Sequence, residues 1–173
     1  MGLSDSELSL MRRGGLVHDV GKIGTPPEIL DKPGRLTEEE TRIMREHVNT
    51  GVRILQPIPS MSESLSIVAQ HHEWVNGGGY PNKLRGEEIS LYARIFSVAD
   101  CFDALVSDRP YRKGLSIPRV MQILEEGRGK QFDPAILDVF ATIIREEQAS
   151  ATAAVSKQAQ GTRRVETAPV MKG

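Results

Sequence analysis

Apolar residues recur at intervals of three and four along nearly every segment of this chain, and strict alternation is rare. That is the period of one helix face, so the chain reads as all-α. With 173 residues, 39% of them hydrophobic and 26% charged, it can bury one real core without staples or a second domain. One domain over residues 1–147 is expected, followed by a disordered tail over 148–173, where Ala, Ser, Thr, Gln and Lys leave no apolar stripe.

The helix boundaries carry their own signals. A first helix is predicted from about Asp5 to Val20, with Ser4 and Glu7 in capping-box spacing and Leu8, Met11 and Leu16 on one face. Gly14 and Gly15 interrupt it at a cost of about 1 kcal/mol each against Ala, which points to close packing or local weakness. GKIGTPPEILDKPGR reads as a loop with one short turn around Pro27 to Leu30. Thr37 and Glu40 open a second helix, with Ile43, Met44, His47, Ile54 and Leu55 inward, and Pro57 and Pro59 end it. A third, about Ser62 to Glu73, carries Leu65, Val68, Ala69 and His72 on one stripe. WVNGGGYPNKLRGEE then forms a loop long enough to suggest function. The fourth, about Leu91 to Ser107, is the most apolar and is expected to be central. Ser116 with Pro118 starts another, and Asp133 with Pro134 starts a last one ending near Glu147.

A net charge of −1 gives no global attraction to nucleic acid or a membrane surface, so an anionic substrate would be held by a few placed residues. The single cysteine, Cys101, excludes an intramolecular disulfide and a cysteine-rich zinc module, and fits a reducing compartment. No apolar run approaches the roughly 20 residues of a membrane span, and the first residues lack a signal-peptide core. The cytoplasm is the expected location.

All four histidines fall in short polar clusters: His18 beside Asp19, His47 in REHVNTG, and His71 and His72 before Glu73. Imidazole is the commonest metal ligand, and a nearby carboxylate completes or orients it. In HDVGK, His18 and Asp19 can approach cations from different angles while Lys22, one turn on, faces an anion. The plain alternative is a helix end where His and Lys meet the macrodipole. His47 by itself reads as a surface histidine, whereas His71 and His72 close an apolar helix where unpartnered imidazoles are costly. Asp100 lies among apolar residues and needs a cation, a donor or a proton; Asp103 lies one turn later, either near the same site or as a surface charge. NGGGYP lets backbone approach a ligand while Tyr80 offers a ring or hydroxyl, although most such runs are turns. Arg109, Arg112 and Lys113 form either a phosphate-matching cluster or a basic loop.

Taken in order, HDVGKIGTP, EHVNTG, HHEWVNGGGYP, ARIFSVADCFDAL and SDRPYRKGL resemble the HD-GYP family, a branch of the HD-domain metal-dependent phosphohydrolases, over about Leu3 to Ile144. The resemblance implies an HD-domain helical bundle with a long GYP loop. It implies hydrolysis of cyclic di-GMP to linear pGpG, and on to GMP, through activation of water at a two- or three-metal centre. His18, Asp19, His47, His71, His72 and Asp100 match the family's metal ligands, with Asp19 and Lys22 closest to the chemistry. Lys22 matches the lysine that approaches the substrate phosphate, while Asp103, Arg109 and Arg112 match positions near the nucleotide, with Tyr80 offered to the same substrate. Gly79, Tyr80 and Pro81 are the triplet itself, in a loop the family associates with site shape and partner-protein contacts. Iron or manganese is typical of the family, and imidazole with carboxylate is also compatible with zinc.

The chain also departs from that pattern. Family members usually carry an additional helix ahead of HDxGK, bearing a further His and often a Glu, whereas only 17 residues precede His18 here and none is histidine. A piece of a longer regulator with a receiver or sensory domain upstream, a misplaced start, and a module that has lost catalysis and binds nucleotide or a partner protein through the GYP loop would each explain this. The face left uncovered would suit a second copy of the chain, as in a homodimer.

Overall fold

The computed structural model describes residues 2–108 and 113–165, with side chains through 151. It divides into two compact units, Met1–Leu137 and Asp138–Gly173. The first contains helices α1 (Asp5–Val17), α2 (Pro27–Leu30), α3 (Glu38–Arg45), α4 (His47–Leu55), α5 (Leu65–Gln70), α6 (Leu91–Val106) and α7 (Ile117–Glu126), and the start of α8 (Pro134–Val165). No strand forms among the described residues; two isolated bridges join Asn76 to Arg85 and Arg128 to Phe132.

Both expected capping boxes are made. Glu7 N–H donates to Ser4 Oγ at 3.4 Å and Ser4 N–H to Glu7 Oε2 at 2.8 Å, and Thr37 and Glu40 repeat the exchange at 3.2 and 2.7 Å. Each box satisfies two amides that a helix start would otherwise orphan. The core is built from Val48, Ile67, Val68, Ile89, Val98, Val120, Leu124 and Phe132, all essentially inaccessible; burial stabilises each by about 1.5–3 kcal/mol. As its composition predicts, α6 is central, packing against α1, α5 and α7.

Several helices end earlier than apolar spacing predicts. The first stops at Val17 and tightens into a 3₁₀ turn over Val20–Gly24. The second is broken at Glu46 into α3 and α4. The third begins as a 3₁₀ turn over Pro59–Ser64 and stops at Gln70. In every case the early stop leaves a histidine beside a helix C-terminus. At the other end of the chain α8 runs from Pro134 to Val165, past the helix end expected near Glu147. Ala is the best helix former and needs no apolar stripe to remain helical; residues 166–173 lie outside the described residues.

The glycines of α1 resolve as packing positions. A Cβ on Gly14 would stand 2.6 Å from Ile67 Cδ1, and one on Gly15 2.8 Å from Phe96 Cε2, so the pair lets α1 lie close to both α5 and α6. Leu16 and Ile23, flanking the 18–22 segment, are 86% and 84% exposed and contribute nothing to this core.

The tightest approach is between the 3₁₀ turn and α4, where a Cβ on Gly21 would fall 1.9 Å from the His47 carbonyl oxygen and 2.5 Å from Gly51 N. Backbone cannot yield as a side chain can. Gly21→Ala is expected to destabilise the fold by about 3 kcal/mol, the upper end of overpacking costs. Gly24→Ala, whose Cβ meets only the Thr50 side chain, at 3.3 Å from Cγ2, should cost less than about 1 kcal/mol. Chemical denaturation of the two variants checks the difference, and equal midpoints would contradict it.

Candidate metal centre

Three helix ends converge on Asp19, the residue that links α1 to the 3₁₀ turn. The last carbonyls of a helix have no intrahelical partner, and here imidazoles supply one. His18 Nδ1 lies 2.7 Å from Gly15 O, His47 Nδ1 2.7 Å from Met44 O, and His71 Nδ1 3.0 Å from Val68 O. A carbonyl only accepts, so each Nδ1 carries a proton, and in the neutral ring Nε2 presents a lone pair. One local contact therefore closes the helix and sets the tautomer.

Those lone pairs face Asp19. His47 Nε2 is 3.4 Å and His71 Nε2 3.9 Å from Asp19 Oδ1, and the two nitrogens are 3.5 Å apart. Ligand atoms of Asp19, His47, His71 and His72 all lie within 4.8 Å of one another. Asp19 Oδ1 is buried with no hydrogen-bond partner. An unpartnered carboxylate oxygen facing imidazole lone pairs is a cluster of acceptors, which is costly unless a cation sits among them. Ligands about 2.1 Å from one ion are roughly 3.0–3.5 Å apart at tetrahedral or octahedral angles; the two shortest of these separations match that spacing, and the group as a whole could hold a metal ion.

The other oxygen belongs to a second set. Asp19 Oδ2 is 3.2 Å from His18 Nε2, which also lies 3.6 Å from Asp100 Oδ1. Lys22 donates to the same Oδ2. Asp19 thus stands between two groups of donors, and Asp100 reaches the site from α6. Asp103, one turn further along α6, is exposed and accepts from Ser107 Oγ at 3.3 Å rather than joining the cluster. Arg109 and Arg112 lie outside the described residues.

Burial sets the charge states. For Asp19 it opposes ionisation, but the contacts with protonated His18 and with Lys22 prevail and hold the carboxyl below its usual range. Burial is the leading cause that lowers His47, takes His71 down to about 4 and takes His72 to about 2, with neighbouring imidazoles adding to it. His18 moves up: burial lowers it, but the Asp19 contact outweighs that. Near neutral pH the inner histidines are neutral, the form that binds metal.

The GYP loop closes one side. A Cβ on Gly79 would lie 2.4 Å from Trp74 N and 2.5 Å from His72 O, so only glycine fits there. Tyr80 N–H donates to His72 O at 3.1 Å. Its ring stacks on His72 with centroids 4.7 Å apart and planes at 25°. Arg45 lies over the same ring, its guanidinium 4.7 Å from the centroid. Glu73, only 2% exposed, is a residue whose part the sequence does not reveal: its carboxylate accepts from Asn82 N at 2.6 Å and Leu84 N at 3.0 Å and so anchors the loop. A cleft of about 540 Å³ opens beside the loop, lined among others by Arg42, Arg45, Gly79, Tyr80, Pro81 and Lys83.

The HD domain family matches residues 1–136. The chain is 40% identical over 140 residues to the cyclic di-GMP phosphodiesterase response regulator RpfG of Xanthomonas campestris pv. campestris, covering 80% of this chain and 37% of that protein. It is 40% identical over 134 residues to 3'3'-cGAMP-specific phosphodiesterase 3 of Vibrio cholerae, covering 78% and 29%. Against a cyclic di-GMP phosphodiesterase of Thermotoga maritima it is 38% identical over 148 residues, covering 84% and 40%. The chain therefore spans well under half the length of these relatives. The fold is similar to that of Bd1817, a HDG"Y"P protein from Bdellovibrio bacteriovorus, with a TM-score of 0.65 and 22% identity over 83% of this chain and 46% of the other. No helix among the described residues is long and apolar enough to cross a membrane.

The lowered histidines carry a consequence for stability. Between the ordinary histidine value of 6.5 and about 4 for His71, the unfolded chain binds more protons than the folded one, so stability falls as pH falls. His72 acts in the same direction, while the raised His18 partly offsets it. Treated with a chelator, the chain should lose melting temperature steadily from about pH 7 to about pH 4, and His72→Asn should flatten that slope. Thermal melts across this range test it; a melting temperature that is constant or rises on acidification would contradict it.

Proposed function

This chain belongs to the HD domain family and carries the HD-GYP set of motifs, and from that premise we propose that it is a metal-dependent phosphodiesterase that opens cyclic di-GMP to linear pGpG, with a second cut to GMP. The observation that carries the reading is the division of Asp19 between two donor sets. One holds Oδ1 with His47, His71 and His72; the other holds Oδ2 with His18 and Asp100. Two divalent ions, iron or manganese by family resemblance, are the proposed occupants, and nitrogen and oxygen donors without thiolate suit them. When bound, such a pair supplies a nucleophile at neutral pH and neutralises the attacking and leaving oxygens of an in-line displacement.

The protein's own groups do the rest. Nδ1–carbonyl contacts hold three imidazoles in one tautomer, so donor geometry is set before substrate arrives. Lys22, half-buried beside Asp19, places an ammonium where a phosphate's non-bridging oxygens need neutralising. Arg109 and Arg112 are proposed to bind the nucleotide from beyond the end of α6, with Asp103 nearby. Tyr80 lines the adjacent cleft. Proposed partners are the cyclic dinucleotide itself, a signalling protein at the GYP loop, an upstream receiver or sensory domain, and a second copy of the chain.

A second substrate deserves equal trial. The 3'3'-cGAMP-specific relative from Vibrio cholerae is as similar to this chain as the cyclic di-GMP enzyme from Xanthomonas, at 40% identity each. Both substrates share the phosphodiester geometry that the Asp19 site addresses and differ in one base.

Turnover of both dinucleotides by metal-loaded protein, followed chromatographically, tests the reading. Asp19→Asn should lower hydrolysis by at least about a thousandfold and reduce bound metal, because both donor sets lose a shared ligand. Lys22→Ala should lower it by about 10²–10³-fold while metal content stays, the loss typical of one transition-state donor. Undiminished hydrolysis by Asp19→Asn, or none of either dinucleotide by metal-loaded wild type, would overturn the assignment.

A further inference from the structure

His72 differs from the other three histidines. Each of those has Nδ1 against a carbonyl three residues back, whereas the His72 ring makes no hydrogen bond among the described residues and meets other rings instead. The terminal torsion of a histidine is broad, so an imidazole without a hydrogen-bonded anchor swivels unless something flat restrains it. The flat surface here is Tyr80, stacked on His72 at 4.7 Å and 25°.

We propose that Tyr80 is a positioning residue that fixes the His72 ring for metal ligation, with Arg45 restraining the tyrosine. Three independent restraints hold Tyr80 in place. Its own amide donates to the carbonyl of His72, the residue it stacks on. Gly79 presses the preceding backbone against His72 and Trp74 closely enough to exclude a methyl group. Glu73 ties down Asn82 and Leu84 on the other side of the triplet. The Arg45 guanidinium over the ring adds a cation–π contact that an ammonium would match less well, because a planar group stacks. On this view the triplet is a clamp: glycine allows the approach, tyrosine supplies the plate, and the ring rather than the hydroxyl is what the metal site uses.

The inference rests on the metal-ligand part of the proposed function and needs nothing from its substrate assignment. Mn²⁺ titration of the chain, read by loss of the free-ion electron paramagnetic resonance signal, measures affinity; the visible spectrum of the Co²⁺-loaded chain reports ligand geometry. Tyr80→Leu should weaken Mn²⁺ binding by about 10–100-fold, the usual loss when a group orienting a ligand is removed, and should alter the Co²⁺ spectrum. Tyr80→Phe keeps the ring and should stay within about threefold of wild type with an unchanged spectrum. Arg45→Leu, at an exposed rim position, should weaken binding in the same direction by a smaller factor, and decides the matter if Tyr80→Leu does not fold.

Wild-type affinity in folded Tyr80→Leu, or in Arg45→Leu where Tyr80→Leu does not fold, would overturn the proposal. So would a loss in Tyr80→Phe as large as that in Tyr80→Leu. Wild type that binds Mn²⁺ but hydrolyses no cyclic dinucleotide would remove the functional reading and leave this one standing. Wild type that binds no metal would remove both.

Discussion

Asp19 is the residue on which the arrangement depends. It is half-buried, and one of its oxygens has no hydrogen-bond partner, a combination that costs free energy in any fold without a compensating cation. Its position is dictated by backbone. The helix before it stops at Val17, the 3₁₀ turn after it begins at Val20, and Gly21 lies against the His47 carbonyl so closely that no larger residue fits. That contact brings the carboxylate of one segment onto the imidazole of another. The ligand geometry is thus a consequence of how tightly a turn packs on α4.

The histidines serve fold and site through the same bond. A C-terminal carbonyl left unpaired in a buried helix end is a liability, and an imidazole N–H three residues on removes it. The donor that satisfies the backbone is the nitrogen that must be protonated for the other to ligate. Stability and readiness for metal are therefore coupled: burial that keeps His71 and His72 neutral also makes the empty cluster vulnerable to protons.

Much of the fold was legible because its signals are local. Ser4 with Glu7 and Thr37 with Glu40 read as capping boxes and are capping boxes; the apolar run of α6 reads as central and is central. The early helix ends were not legible, since apolar spacing continues through His47 and His72 while the backbone breaks at Glu46 and after Gln70. Where the helices stop, an imidazole meets a carbonyl three residues back, a contact that apolar periodicity does not register. Gly14 and Gly15 looked equally like weakness or close packing until Ile67 and Phe96 were opposite them. Glu73 shows the same limit from the polar side. In HHEW it reads as one more member of a polar cluster, and only the return of the chain at Asn82 and Leu84 makes it an anchor.

The charge of the site settles what metal does beyond chemistry. With the inner histidines neutral, the site brings the carboxylates Asp19 and Asp100 together with the ammonium of Lys22, which is engaged with Asp19, and with His18, whose proton affinity those carboxylates raise. On the proposed function a cyclic dinucleotide would bring two phosphate charges to that site, where the carboxylates repel them. Cations in the Asp19 donor sets reverse the sign. On the proposed function, then, metal in the Asp19 donor sets helps hold the substrate as well as break its bond.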